Sequence, residues 1–476
     1  MTHSTPAYPY NSAERPWLDE AARHARRFLD SLAERPVGAR ASFQELRDAL
    51  GGPLPEAGFR PEAVVERLAT SAEPGLVASA GPRYFGFVIG GSLPAAVAAD
   101  WLTTAWDQNG GLNATSPAVA AAEDVVAGWV KDLLGLPAGA SVGFVTGCQM
   151  ANFAGLAAGR HAVLERAGWN VEEEGLQGAP PVNVVLGEEA HATVYAALRL
   201  LGLGSRRARR VAVDDQGRLR PPALAEALRA CPGPTLVAAQ VGNVNTGAID
   251  PIGEIAEIAH GHGAWLHVDG AFGLWAAAAP GLRGQLEGIE RADSWATDAH
   301  KWLNVPYDSG IAIVAQPDAQ RAAFLKRAAY FIPALGAERD PHDYTPESSR
   351  RGRVFPLYAA LLSLGRRGVA ELVERNCALA RRIAARLRAG GVHVLNDVAL
   401  NQVLVRFEPP RGDGDAFNRA VVARIQREGT LWASGTRWRD REALRLSVSN
   451  WSTSEADADR SADAILEAAK REAEGR

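Results

Sequence analysis

The feature that most constrains this chain is an alternation that begins at Val142. Short β-branched runs are each followed by a stretch rich in Ala and Leu: VGFVT by MANFAGLAAGRHAVL, VNVVL by HATVYAALRLLGL, and TLVAAQV by IGEIAEIAHGHG, with AWLHVD directly after. Strands alternating with helices predict parallel βαβ units joined by right-handed crossovers. The runs are apolar on both faces, so helices must cover the sheet on each side. The expected class is α/β, with a doubly wound, mostly parallel sheet spanning residues 82–335.

The flanks read differently. Residues 1–81 give three short helical patterns, opening at Pro16, Ser42 and Pro61, and form an N-terminal helical arm. Such an arm cannot bury both faces alone, so it should lie on the next domain or on a second subunit. After the polar stretch ERDPHDYTPESSRRGR, a long helix is expected from about Phe355 to Ala389. The alternating runs VLVRF and LRLSVS then bracket another helix, which makes residues 336–476 a small α+β domain.

Composition narrows the function. With 51 basic against 55 acidic side chains the formal charge is -4, not the basic surplus of a nucleic-acid binder. Cys148, Cys231 and Cys377 are too far apart for a disulfide framework or a metal knuckle, so no metal is expected. Charges run through the first thirty residues, and no window of membrane-spanning length is free of charge or Gly/Pro punctuation; a cytoplasmic protein without a membrane partner is expected. Lys131, Lys301, Lys326 and Lys470 are the only lysines. A lysine in an apolar setting here therefore asks for a reason.

In an open parallel sheet, ligands bind at the carboxyl ends of the strands, and the chemically informative residues follow strands. Gly147-Cys148-Gln149-Met150-Ala151-Asn152 opens a helix after VGFVT, where free amides and the helix dipole suit a phosphate; an ordinary strand-to-helix turn would read the same way. Asp269 ends the strand AWLHVD, and a carboxylate there needs a cation or an N–H partner, unless it caps a helix. Ala271, two places on, leaves room for a flat group. Lys301 lies between His300 and Trp302, where desolvation would lower its pKa and favour a neutral, nucleophilic amine; the alternative is a lysine that snorkels outward. His191 follows the strand VNVVL and could equally be a helix cap. Together a glycine turn, a histidine, a strand-terminal aspartate and a lysine describe a ligand with a phosphate, a flat ring with a basic nitrogen, and an aldehyde. Pyridoxal 5′-phosphate (PLP) has all three.

The segments HVDGAFG and AHKW, with GCQMAN, resemble the group II pyridoxal-phosphate-dependent amino acid decarboxylases, which include aromatic amino acid and glutamate decarboxylases. The similarity runs from about Pro82 to Arg350-Arg351-Gly352-Arg353 and more weakly onward. It implies the PLP-dependent transferase-like fold (fold type I), with Lys301 holding the cofactor as an internal aldimine. It also implies that Asp269 pairs with the pyridine nitrogen, that Ala271 packs under the ring and that His191 stacks on the opposite face. Cys148 and Gln149 would bind the phosphate through backbone amides, with Asp298 and Ser294 nearby, and His300 would sit beside the substrate.

Tyr330 resembles the tyrosine of the family's mobile catalytic loop, which closes over the other subunit's site; the resemblance thus implies a homodimer. Asn243 marks a departure, since Gly242-Asn243-Val244-Asn245 stands where many relatives have Gly-Thr-Thr. WDQNGGLN, from Trp106 to Asn113, carries two glycines where aromatic-specific relatives are bulkier. The implied reaction is decarboxylation of an L-amino acid. Aldehyde synthase, aldolase and aminotransferase chemistry on the same fold remain open, with Arg351, Arg353 and Arg445 as possible carboxylate partners, as does a silent ligand-binding role. Phe85, Phe87 and Trp106 are either pocket or core.

Overall fold

The computed structural model describes residues 15–326, 338–409 and 411–475. The arm consists of α1 (Pro16–Ser31), α2 (Phe43–Leu50) and α3 (Pro61–Ala72). Prolines open α1 and α3, where a missing N–H costs nothing, and Ser42 with Glu45 forms a capping box on α2. None of these three helices has a buried residue. The arm is tied to the body through Val37, whose N–H donates to the Gly429 carbonyl, and through Arg83, which donates to the Ala33 carbonyl.

α4 (Pro94–Trp106) and α5 (Pro117–Leu134) lead into the large domain: β1 (Ser141–Val145), α6 (Cys148–Glu165), α7 (Val171–Glu174), β2 (Asn183–Gly187), α8 (Ala192–Leu200), β3 (Arg209–Val211), α9 (Pro221–Arg229), β4 (Thr235–Gln240), α10 (Ile252–Gly261), β5 (Trp265–Asp269), β6 (Ser294–Asp298), β7 (Gly310–Val314) and α11 (Pro317–Phe324). Seven strands form one sheet in the order β1-β7-β6-β5-β4-β2-β3. Only β7 runs against its neighbours, so the expected mostly parallel sheet is present. Apolar layers cover both faces. One contains Val130 of α5, Leu224 of α9 and Ile255 of α10; the other contains Leu156 of α6 and Leu198 of α8.

α12 (Val354–Ala389) leads into β8 (His393–Val394), β9 (Gln402–Arg406), α13 (Gly414–Glu428), β10 (Ser434–Trp438), β11 (Arg441–Ser447) and α14 (Glu455–Glu474), with an antiparallel sheet in the order β10-β11-β9-β8. The boundary expected at 335/336 is not where the cores divide. Val354 to Cys377 pack in the large-domain core, whereas Leu379 to Leu387 of the same helix pack on the small sheet. α12 is two helical pieces joined at the non-helical Gly365 (φ 62°), and the second piece serves both cores. Among the described residues no helix is long and apolar enough to cross a membrane.

The register brings distant segments together. Asp269 pairs with Gln240 on one side and Ala296 on the other, while Gly310 of β7 pairs with both Asp298 and Val145. β1 and β6 therefore end side by side across one residue. A Cβ at Gly310 would lie 2.4 Å from the Gly147 Cα, so the contact requires glycine. Gly310→Ala is expected to destabilise the fold by about 1–3 kcal/mol through overpacking, seen as a lower urea midpoint; an unchanged midpoint would show that this contact has slack.

Candidate active site

The centre of the cluster is the Asp298 carboxylate at the end of β6. One oxygen lies 2.9 Å from Lys301 Nζ; the other accepts the Cys148 N–H at 2.5 Å and lies 3.4 Å from His300 Nε2. The N-terminus of α6, the His300–Lys301 segment and β6 are thus joined by one buried anion. Asp298 is placed where the positive end of the helix stabilises it. Burial pushes the Lys301 ammonium down, as read from the sequence. The Asp298 carboxylate, helped by Asp269, pushes it up by more, and it ends well above the ordinary lysine value. The expected neutral amine is thus corrected: an ion pair at contact distance outweighs desolvation.

At His300 the balance falls the other way. Burial holds it below the ordinary histidine value, against the pull of Asp298. Its Nδ1 accepts the Ser309 N–H at 3.1 Å, and the ring stacks on Tyr307 with centroids 4.2 Å apart.

The second carboxylate, Asp269, is held by neutral donors. Ala271 N–H reaches Oδ1 at 3.2 Å and Cys148 Sγ lies 3.4 Å from the same oxygen, while Asn152 Nδ2 donates to Oδ2 at 3.1 Å. Burial pushes the Cys148 thiol well up, which keeps it a donor. His191 caps α8, its Nδ1 accepting from the Thr193 N–H at 3.3 Å and lying 2.8 Å from Thr193 Oγ1. Desolvation in the cleft lowers its pKa although the ring keeps contact with solvent, and Asp269 opposes that shift. The structure thus shows His191 as a helix cap.

The remaining expected residues divide. Ala271 is half-buried at the turn after β5, and its carbonyl accepts the Asp298 N–H. Gln149 is exposed in the first turn of α6, where amides lack helical partners. Asn243 follows β4; its Oδ1 accepts from the Asn245 and Thr246 amides, and its buried Nδ2 has no hydrogen-bond partner among the described residues. Ser294 is a correction. It lies at the opposite end of β6 from Asp298, about 13 Å away at strand spacing, and bonds to Trp265 and His267 in the core. Tyr330 lies outside the described residues.

The sequence reading missed Asn152, Thr193 and His267, although the signal was present: Asn152 is one turn from Cys148 on α6, and His267 shares the Asp269 face of its strand. It missed Trp432 altogether, which stacks on Tyr84 and Phe87 with centroids 5.1 and 5.5 Å away. Phe87 is 59% exposed and borders the cluster, since Gly90, three residues on, packs against the Lys301 carbonyl. Phe85 is buried in the small-domain core, and Trp106 is exposed, edge-on to Phe355. The WDQNGGLN stretch packs on the segment near Arg350 through Gly110 N–H and on Asp340 through Asn113 N–H. Arg445 is buried, with Nη1 donating to the Val244 carbonyl at 3.0 Å and no carboxylate within ion-pair distance among the described residues. Burial lowers its pKa to about 10. It pairs across the sheet with Ser434, whose Oγ accepts the Phe87 N–H.

First-turn amides, a lysine beside an anion, a carboxylate held by neutral donors and the orphaned Asn243 Nδ2 fit a phosphorylated, ring-bearing aldehyde such as PLP. Known proteins agree. A pyridoxal-dependent decarboxylase conserved domain matches residues 47–408. Tryptophan decarboxylase 1 of Oryza sativa subsp. japonica is 27% identical over 471 residues, covering 92% of this chain and 90% of the relative. The aromatic-L-amino-acid decarboxylase of Bacillus atrophaeus is 26% identical over 437 residues, covering 88% and 87%. The crystal structure of Oryza sativa TDC with PLP and tryptamine is 25% identical, with a TM-score of 0.90 over 97% of this chain and 99% of that one. The sheet order and the small antiparallel domain are accordingly those of fold type I. A match over most of the length, on a fold whose solved neighbours include structures with PLP, leaves one assignment: the chain belongs to the group II pyridoxal-dependent decarboxylases and is a PLP-dependent carboxy-lyase.

Proposed function

We propose that the protein decarboxylates an L-amino acid to its amine, with PLP attached covalently at Lys301 Nζ. The observation that carries the reading is the convergence of Lys301, Asp298, Asp269 and the first turn of α6 within hydrogen-bond distances of one another. When bound, the cofactor supplies an electron sink for the charge left at Cα as CO₂ departs. The protein supplies the rest. Asp269 would hold the proton at the ring nitrogen, and the Gln149 amide with the α6 dipole would bind the phosphate; the Cys148 N–H, expected to share that role, is taken by Asp298. Ala271 and His191 would hold the ring between them, and Asn243 would offer its Nδ2. His300, with Tyr307 on its face, borders the substrate. Tyr330 is the proposed proton donor to Cα, a general-acid role commonly worth about 10²- to 10⁴-fold.

Arg445, a buried cation without an anionic partner, is the proposed anchor for a substrate carboxylate. The aromatic surface of Phe87 on Trp432 favours a flat, apolar substrate side chain. The exposed apolar residues of the arm and α4, among them Phe43, Leu54, Leu68 and Trp101, support a homodimer in which a second copy covers them. The three free cysteines support a reducing, cytoplasmic setting.

Borohydride treatment of the PLP-loaded protein is expected to fix the cofactor on Lys301, and Lys301→Ala to abolish both that adduct and CO₂ release across a panel of amino acids. An adduct elsewhere, or exchange with keto acids instead of CO₂ release, would overturn the reading, and release of aldehyde with ammonia would replace the amine product. Arg445→Leu is expected to raise KM at least about tenfold, the scale of one lost charge-assisted contact; an unchanged KM would remove Arg445 as the anchor. Sedimentation should give twice the chain mass at micromolar concentration, and a monomer would remove the proposed dimer.

A further inference from the structure

Behind Asp269 runs a buried polar series with a definite direction. On α6, Cys148, Asn152, Gly155 and Gly159 form one stripe that faces Trp265, His267 and Asp269 on alternate positions of β5. The absence of a side chain at Gly155 lets them meet, since a Cβ there would lie 2.7 Å from two atoms of the His267 ring. Trp265 Nε1 donates to Ser294 Oγ at 2.9 Å, and Ser294 Oγ lies 2.8 Å from His267 Nδ1. His267 Nε2 lies 2.9 Å from Asn152 Oδ1, and Asn152 Nδ2 donates to Asp269 Oδ2.

Chemistry sets the polarity. Asp269 only accepts, so the amide nitrogen of Asn152 must face it and the amide oxygen must face His267. His267 then donates from Nε2 and accepts at Nδ1, the neutral form that its complete burial favours, with a pKa pushed down to about 4. Ser294, already accepting from Trp265, donates to Nδ1. Every link points toward the carboxylate, and such aligned bonds polarise one another. The second Asn152 N–H lies 3.3 Å from Thr193 Oγ1, which in turn bonds His191 Nδ1. One amide thus serves two of the residues proposed to contact the cofactor ring.

We infer that Asn152, oriented by the Ser294–His267 pair, is the positioning residue that sets the Asp269 carboxylate for the cofactor's ring nitrogen and, through Thr193, the His191 ring over its face. The inference rests on the proposed roles of Asp269 and His191. Ser294, far from the phosphate, acquires a role at the far end of the same series.

The test uses the full chain with Asn152→Leu, His267→Leu, His267→Gln and the Asn152→Leu/His267→Leu double variant, each titrated with PLP. Apparent cofactor affinity, the pH midpoint of the bound cofactor's absorbance change, and kcat and KM are measured. Outer-shell partners of bound groups are commonly worth about 10–100-fold. Asn152→Leu and His267→Leu should each weaken PLP binding by at least about tenfold on that scale, shift the absorbance midpoint and lower kcat with little change in KM. Because the residues act in series, the double variant should be no worse than Asn152→Leu, and His267→Gln, whose amide N–H can still reach Asn152, should recover most of the loss. Folded variants with unchanged cofactor affinity and absorbance midpoint, a loss confined to thermal stability, or additive losses in the double variant would overturn the inference. If Asn152→Leu does not fold, the contrast between His267→Leu and His267→Gln decides it. Failure of the unsubstituted chain to bind PLP at all would instead refute the proposed function, and this inference with it.

Discussion

A single buried carboxylate organises the active-site end of the sheet. Asp298 accepts from the first amide of α6 and pairs with Lys301, with His300 beside it. Taking the lysine out of water without that anion would cost several kcal/mol, and the anion without the lysine and the helix terminus would cost a similar amount. Each makes the other tolerable. The pair also depends on backbone geometry: Gly310 lets the β1 turn and the end of β6 approach closely enough for the Cys148 amide to reach the carboxylate.

A division of labour between two carboxylates follows. Asp298 is paired with charge, whereas Asp269, one strand away, is surrounded by neutral donors. An anion whose hydrogen bonds all come from neutral groups keeps its charge available to a partner that is not part of the chain, the role proposed for Asp269. The same distinction sets Arg445 apart from Arg350, whose guanidinium is matched to the buried Glu123.

Much of the large domain could be read from local pattern. The strands from VGFVT to AWLHVD stand where their apolar runs lie, because a strand covered on both faces has no other way to be written. Lys301, Asp269 and His191 could be singled out because each is an expensive or reactive group at a strand end. Other features could not be read this way. The family resemblance put Ser294 near the phosphate turn together with Asp298, yet the extended strand between them carries it to the opposite end of β6, in the core. The amine of Lys301 looked destined to be neutral, because the reading weighed burial without knowing that the Asp298 side chain turns back onto it. The domain limit near residue 335 follows a change in composition, but α12 passes through both cores without regard to it.

The sequence by itself determined the class of fold, the chemistry of the candidate residues and the family resemblance, because hydrophobic period, strand-end position and residue type are local properties of the chain. Only the tertiary structure decided which of those residues meet. The antiparallel β7 between β1 and β6, the packing of α6 on β5 and the approach of Trp432 and Arg445 from the small domain join positions tens to hundreds of residues apart. Contacts of that kind depend on register and close packing, which no local pattern encodes.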